Sequence, residues 1–270
     1  MSDRTAGWAV RSLSILGVRV DDVTFEETLA LTAEAIDRRR TLLIATVNTE
    51  FVMAAQKDAE FRRVLDQSGL VIPDGIGQIL AARLAGYRLR EHVRGTDLVE
   101  RLAERGAREG YRFFFLGGRG GVAKAAAAAL AARHGGLRIA GCYEGQADAS
   151  DDVNTLAAVR AAGPVDVLLV AYGAPKQEKW LQRNLAPLGV PVGIGVGGVF
   201  NFFAGRAPRA PVWMRRLELE WLHRLLAQPW RWRRQLALPR FGLLVLGSLI
   251  AGRAPVRDRG LILPPGGEPD

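Results

Sequence analysis

The chain has 270 residues, 49 % of them apolar, a net charge of +9, three histidines and one cysteine, Cys142. That length suits one α/β domain with an appendage, or two small domains, and the composition excludes a disordered or collagen-like chain. A lone cysteine excludes an internal disulfide and a Cys-based zinc site, and the Met-Ser-Asp-Arg opening has no apolar h-region, so no secretory signal is expected.

Residues 13–20 read as a strand and 25–39 as a helix ending in a basic turn, which suits the helix dipole. Leu42–Val47 is a short apolar run of the kind buried on both faces of a parallel sheet. Helical spacing over 50–66 follows, then a strand at 70–72 stopped by Pro73. Helices are expected at 76–86 and 96–109. The alternation continues with strands at 112–116, 137–142, 165–172 and 192–196, and helices at 122–133, 151–162 and 175–186. This pattern predicts a Rossmann-like α/β fold with a largely parallel sheet, right-handed crossovers and ligands at the carboxyl ends of the strands.

The texture changes near Gly205. From Arg206 to Arg240 there are nine arginines against two glutamates, a net of +7, so the rest of the chain is close to neutral. Trp213, Trp221, Trp230 and Trp232 are interleaved with these arginines, a helix is predicted over 212–227, and 241–250 is apolar. Ten apolar residues are too few to span a bilayer. Arginine beside tryptophan suits an amphipathic element lying on anionic lipid. It also suits nucleic acid, but the apolar run has no use there, so no nucleic-acid partner is expected. A second protomer is the other cover for this surface, which leaves a homo-oligomer open. The expected division is an α/β core over 1–205, an appendage over 206–252 and a disordered, Pro- and Gly-rich tail over 253–270.

Candidate chemistry lies in the loops after strands. Asp74, between Pro73 and Gly75, is either a general base or a turn and capping residue. Thr46 and Asn48 either bind a sugar or belong to a helix start. Gly117 and Gly118 precede a helix, a ready anion site, yet Gly-Gly-Arg-Gly-Gly matches neither dinucleotide nor P-loop patterns. Gln177 and Glu178 either read a nucleotide or form a solvated first helical turn. Gly197 and Gly198 either admit a ligand close to the backbone or pack strand on helix. The histidines have no metal-ligand spacing, and no strand-end Asp-x-Asp of the kind that holds a divalent metal is present.

In order along the chain, Thr46-x-Asn48-x-Glu50, Pro73-Asp74-Gly75-Ile76-Gly77, Arg94-Gly95-Thr96-Asp97-Leu98 and Phe115-Leu116-Gly117-Gly118 are followed by Pro175-Lys176-Gln177-Glu178, Gly197-Gly198-Val199-Phe200-Asn201, Arg209-Ala210-Pro211 and Glu218-x-Glu220-Trp221-x-x-Arg224. Together these resemble the WecG/TagA/CpsF glycosyltransferases over residues 13–240. The resemblance implies an inverting, metal- and cofactor-independent transfer of an N-acetylmannosamine-type or glucose-type sugar from a UDP-sugar to a polyprenyl-diphosphate-linked saccharide. It places that transfer on the cytoplasmic membrane face, in the synthesis of teichoic-acid-type or other cell-surface polysaccharide. It assigns Asp74 as the base with Thr46 and Asn48 beside it. The donor falls to Gly117, Gly118, Gln177, Glu178, Gly197 and Gly198, and the acceptor diphosphate to Arg94, Arg209, Arg224 and Arg231. The family often has Asp at Asn201 and Tyr at His223, so Asn201 is given no acid–base role. A non-catalytic nucleotide-sugar-binding regulator and a basic nucleic-acid-binding protein are the rival functions.

Overall fold

A computed structural model describes residues 9–229 and 232–262 of the chain. It opens on a hairpin of β1 (Val10–Ile15) and β2 (Val18–Asp21), not on one strand over 13–20. Leu16 and Gly17 turn the chain, with φ of 48° and 81°, the mirror-image turn geometry whose twist matches paired strands. Next comes α1 (Phe25–Asp37), closed at its start by a Thr24–Glu27 capping box, and then β3 (Leu42–Val47), buried throughout. The helix expected over 50–66 is two, α2 (Thr49–Ala55) and α3 (Ala59–Gln67). Asp58 starts the second by accepting a hydrogen bond from the Phe61 N–H at 2.9 Å.

The chain continues through β4 (Leu70–Pro73), α4 (Ile76–Leu84), α5 (Gly95–Glu109), β5 (Arg112–Gly117), α6 (Val122–Arg133) and β6 (Arg138–Tyr143). The core ends with α7 (Asp152–Ala161), β7 (Val167–Ala171), α8 (Lys176–Leu188) and β8 (Val192–Gly195). Six strands form one sheet in the order β4-β3-β8-β7-β5-β6, and every pairing is parallel. Both faces are covered. Phe113 and Phe115 pack in one layer with Phe25, Leu98 and Leu102, while Phe114 and Leu116 pack in the other with Phe61 and Trp180. Burial on both faces is why the strands read as apolar runs rather than alternating ones. The step from β3 to β4 runs outward on one side and that from β5 to β6 on the other, with β8 and β7 between them. The crevice above this reversal is where a doubly wound sheet binds its ligand.

Among the described residues, five helices follow: α9 (Val199–Phe203), α10 (Val212–Arg216), α11 (Glu220–Ala227), α12 (Trp232–Gln235) and α13 (Ala237–Ile250). The helix expected over 212–227 is broken at Glu218, whose φ is 60°. The apolar run 241–250 lies in α13. Its Phe241 and Val245 are buried on α2 and α4. Gly77 permits this approach: a Cβ there would stand 2.2 Å from Thr49 Cγ2 and 3.5 Å from the Phe241 ring. The outer face of α13 exposes Leu243, Leu246 and Ile250. No helix among the described residues is long and apolar enough to cross a membrane.

Residues 253–262 differ from the disordered tail expected there. They include β9 (Val256–Ile262), which pairs antiparallel with β1 and completes a small sheet of order β2-β1-β9. The hairpin leaves one edge of β1 with unpaired backbone groups, and β9 satisfies them, with Val256 buried opposite Ile15. Residues 263–270 of the expected tail lie outside the described residues.

Candidate active site

A cleft of about 410 Å³ lies above the carboxyl ends of β3, β4, β7 and β8. Thr46, Asn48 and Asp74 stand on its wall, from the ends of two adjacent strands. Asp74 follows β4 and precedes the start of α4. Its N–H donates to Val47 O at 2.8 Å, and its Oδ1 accepts from the Gly95 N–H at 2.7 Å. Gly95 lies close because it has no side chain: a Cβ would be 3.1 Å from Thr46 Cγ2 and 3.6 Å from Asp74 Oδ2. Burial pushes the Asp74 carboxyl up to about 6, against the opposing pull of the Gly95 hydrogen bond and of the charges on His92 and Arg224. Such a group is ionised at neutral pH yet basic enough to take a proton.

Thr46 is buried, and its hydroxyl donates to Gly195 O at 3.0 Å, tying β3 to β8. Asn48 caps α2, its Oδ1 accepting from the Phe51 N–H at 3.2 Å. The capping alternative is therefore realised for Asn48, which also faces the cleft.

The segment after Gly205 closes the cleft. Glu218, Glu220, Trp221, Arg224 and Arg234 all line it. Glu218 accepts from Arg94 Nη2 at 2.5 Å and lies 2.8 Å from His92 Nδ1. Burial pushes its carboxyl up, but the hydrogen bonds and charges of His92 and Arg94 outweigh this and hold it below the usual range. Arg94 also donates to Arg215 O at 3.1 Å. Arg209 pairs with Asp97 and does not line the cleft. Arg224 does, with its guanidinium 4.8 Å from the Phe202 ring centroid. Arg231 lies outside the described residues.

The donor-side candidates separate. Gly197, Gly198 and Gln177 line the cleft, whereas Glu178 is fully buried beneath it. Gly117 ends β5, where a Cβ would be 2.9 Å from the Ala171 backbone. Gly118 lies in a neighbouring groove of about 710 Å³ with Arg119, Glu144 and Lys176, and this groove meets the cleft at Ala171 and Tyr172.

His92, Tyr172 and Arg234 line the cleft without having been singled out by sequence reasoning. For His92 the only sequence signal is its place two residues before the Arg94-Gly95-Thr96-Asp97 motif. Arg234, which pairs with Glu50 at 2.9 Å, was one of nine arginines with nothing to distinguish it. Among the described residues no group of three or more His, Cys, Asp or Glu side chains is placed to hold a metal ion.

Comparison with known proteins agrees with this geometry. The model of the glycosyl transferase WecG/TagA/CpsF family matches residues 13–255. The N-acetylglucosaminyldiphosphoundecaprenol N-acetyl-beta-D-mannosaminyltransferase of Bacillus subtilis (strain 168) is 37 % identical over 213 residues, 78 % of this chain and 81 % of the relative. The protein of the same name from Bacillus spizizenii (strain ATCC 23059 / NRRL B-14472 / W23) is 33 % identical over 213 residues, with the same coverage. With motifs, sheet and cleft in agreement, the chain belongs to the WecG/TagA/CpsF family and is a glycosyltransferase.

Proposed function

We propose that this enzyme transfers an N-acetylmannosamine-type sugar from a UDP-sugar to a polyprenyl-diphosphate-linked N-acetylglucosamine, with Asp74 as general base. The observation that carries the reading is Asp74 itself, a carboxyl raised to about 6 and held by the Gly95 N–H in a cleft closed by arginines. The names of the two Bacillus relatives support the sugar and the acceptor.

The reaction is a single displacement. Asp74 accepts the proton of an acceptor hydroxyl as that oxygen attacks the anomeric carbon. The bond from this carbon to the UDP oxygen breaks, UDP leaves, and configuration inverts. Thr46 and Asn48 orient the sugar. The nucleotide lies toward Gly117 and Gly118, with Gly197 and Gly198 beneath the diphosphate. Arg234, with backbone N–H groups, takes the developing charge on UDP in place of a metal. Arg94, Arg209, Arg224 and Arg231 are the set that the family resemblance matches to the acceptor diphosphate; of these Arg94 and Arg224 line the cleft, while Arg209 is held in an ion pair with Asp97 beside it. Residues 206–252 act as the membrane-associating appendage. The exposed leucines of α13 and the surrounding arginines support contact with an anionic lipid surface, at the inner face of the cell membrane.

The test is a donor screen on an acceptor of N-acetylglucosamine diphosphate bearing a short prenyl chain, reading UDP release with and without EDTA. Release dependent on UDP-N-acetylmannosamine and unaffected by EDTA is expected. Release only with another donor, or loss in EDTA, overturns the corresponding part of the reading.

A further inference from the structure

Gln177 and Glu178 lie in the first turn of α8 at the floor of the cleft, and both side chains are buried, Gln177 to 2 % exposure and Glu178 to 0 %. The Gln177 Oε1 accepts two backbone hydrogen bonds, from Gly173 N–H at 2.9 Å and Gly197 N–H at 3.0 Å. Gly173 follows β7 and Gly197 follows β8, and both line the cleft. One carboxamide oxygen thus joins two strand-end loops. Both glycines have positive φ, 79° and 51°, so each loop has a specific backbone shape to keep.

This arrangement works in only one amide orientation. Turned over, the NH2 of Gln177 would face two N–H donors and leave both unsatisfied, at a cost typical of buried orphan donors. Glu178 holds the same orientation from the other end of the amide, its Oε1 accepting from Gln177 Nε2 at 2.7 Å. Glu178 Oε2 has no partner among the described residues. The pair lies against bare backbone: a Cβ on Gly195 would be 2.4 Å from Glu178 Oε1 and 2.8 Å from Gln177 Nε2. The carbonyl of that same Gly195 accepts the Thr46 hydroxyl. The chain of contacts therefore runs from Glu178 through Gln177 to both glycine loops, and reaches the strand end beside Asp74.

We propose that Glu178 is a positioning residue for the transfer reaction, which orients the Gln177 carboxamide and through it shapes the wall that receives the sugar-diphosphate end of the donor. Its carboxyl needs no charge for this task, because a protonated Glu178 keeps a carbonyl oxygen for Gln177 Nε2. Burial in an apolar layer favours that neutral form. The donor part of this inference rests on the proposed UDP-sugar reading, whereas the brace between the loops does not.

Four variants test it: Glu178→Gln, Glu178→Leu, Gln177→Glu, and the exchanged pair Gln177→Glu/Glu178→Gln. Glu178→Gln keeps an accepting oxygen and should hold the donor KM within about 3-fold. Glu178→Leu removes the acceptor and should raise the donor KM by about 10-fold with a smaller change in kcat, without lowering the melting temperature. Gln177→Glu replaces the donating Nε2 by a second carboxyl and should impair donor use at about pH 8, where both carboxyls tend to ionise and repel. The exchanged pair restores it, since Gln at 178 donates to Glu at 177 while Glu at 177 still accepts from both loop amides. Hydrogen exchange at Gly173 and Gly197 reads the brace without any donor, and Glu178→Leu should accelerate both by about 10-fold. Unchanged exchange and unchanged KM in Glu178→Leu would overturn the positioning role, as would failure of the exchanged pair to recover. If the wild-type enzyme does not use UDP-sugars, the exchange result alone decides the brace, and only the functional reading falls.

Discussion

The Gly95 N–H and the Asp74 Oδ1 are 2.7 Å apart, and that bond joins the proposed base to the start of α5. Removing the base should cost the general-base contribution, about 10²–10⁴-fold. Asp74→Asn should therefore lower kcat by that range with little change in donor KM. The rate of the wild-type enzyme should rise as pH increases through about 6, because only the ionised carboxyl accepts a proton. A pH–rate profile of wild type and variant checks both. A flat profile between pH 5 and 8 would exclude Asp74 as the titrating base.

The same carboxyl makes a stability prediction of opposite sign. Its folded value, about 6, is above the ordinary 3.8, so the native state binds the proton more tightly than the unfolded chain. The contribution of the protonated carboxyl is fully present below about pH 4 and is lost as pH rises through 6. Asp74→Asn should thus be more stable than wild type by about 2 kcal/mol at pH 7, and no more stable at pH 4. Denaturant titrations at the two pH values measure the difference.

Glu218 ties the segment after Gly205 to both His92 and Arg94, in the stretch that leads into Gly95 and its N–H. Glu218→Ala should loosen this clamp and lower kcat by at least about 10-fold. In a double-mutant cycle with Arg94→Ala, the coupling should be about 1–2 kcal/mol, since the pair is partly screened by solvent. Because Glu218 is held below 4.5, its stabilisation is present above that pH and is lost as the carboxyl protonates below it. A coupling near zero at pH 7 would mean that the clamp is not energetically significant.

Lipid contact can be separated from folding on α13. Leu243, Leu246 and Ile250 are exposed, Ile250 to 87 %, and their spacing of three and four puts them on one face. Replacing all three by Ser should leave the melting temperature within a few degrees but reduce co-sedimentation with anionic vesicles by about 10-fold or more. Phe241→Ala, on the buried face, should instead destabilise by about 3–5 kcal/mol. Deleting everything after Arg206 is a less specific test, because it also strips β9 from β1.

Local chemistry and order along the chain were enough for the α/β alternation, since strands buried on both faces must be apolar for most of their length. The same was true of Asp74, Thr46 and Asn48 as strand-end residues, and of the basic segment after Gly205. Its breaks were harder to read. A two-residue turn at Leu16-Gly17 and a single capping Asp58 each divide what periodicity joins, because propensity over a window cannot register one residue. The pairing of β9 with β1 spans the whole chain and depends on an open sheet edge that no local pattern announces. Glu178, read in the sequence either as a nucleotide contact or as a solvated first-turn residue, is neither: it is buried under Gly195, because α8 presses that face on β8. His92 had no partner within reach in sequence, and Glu218 stands 126 residues away. Which polar residues are spare and which share one cleft was decided by the side-by-side order β4-β3-β8-β7, since hydrogen bonds and burial act through distances that exist only after the sheet has assembled.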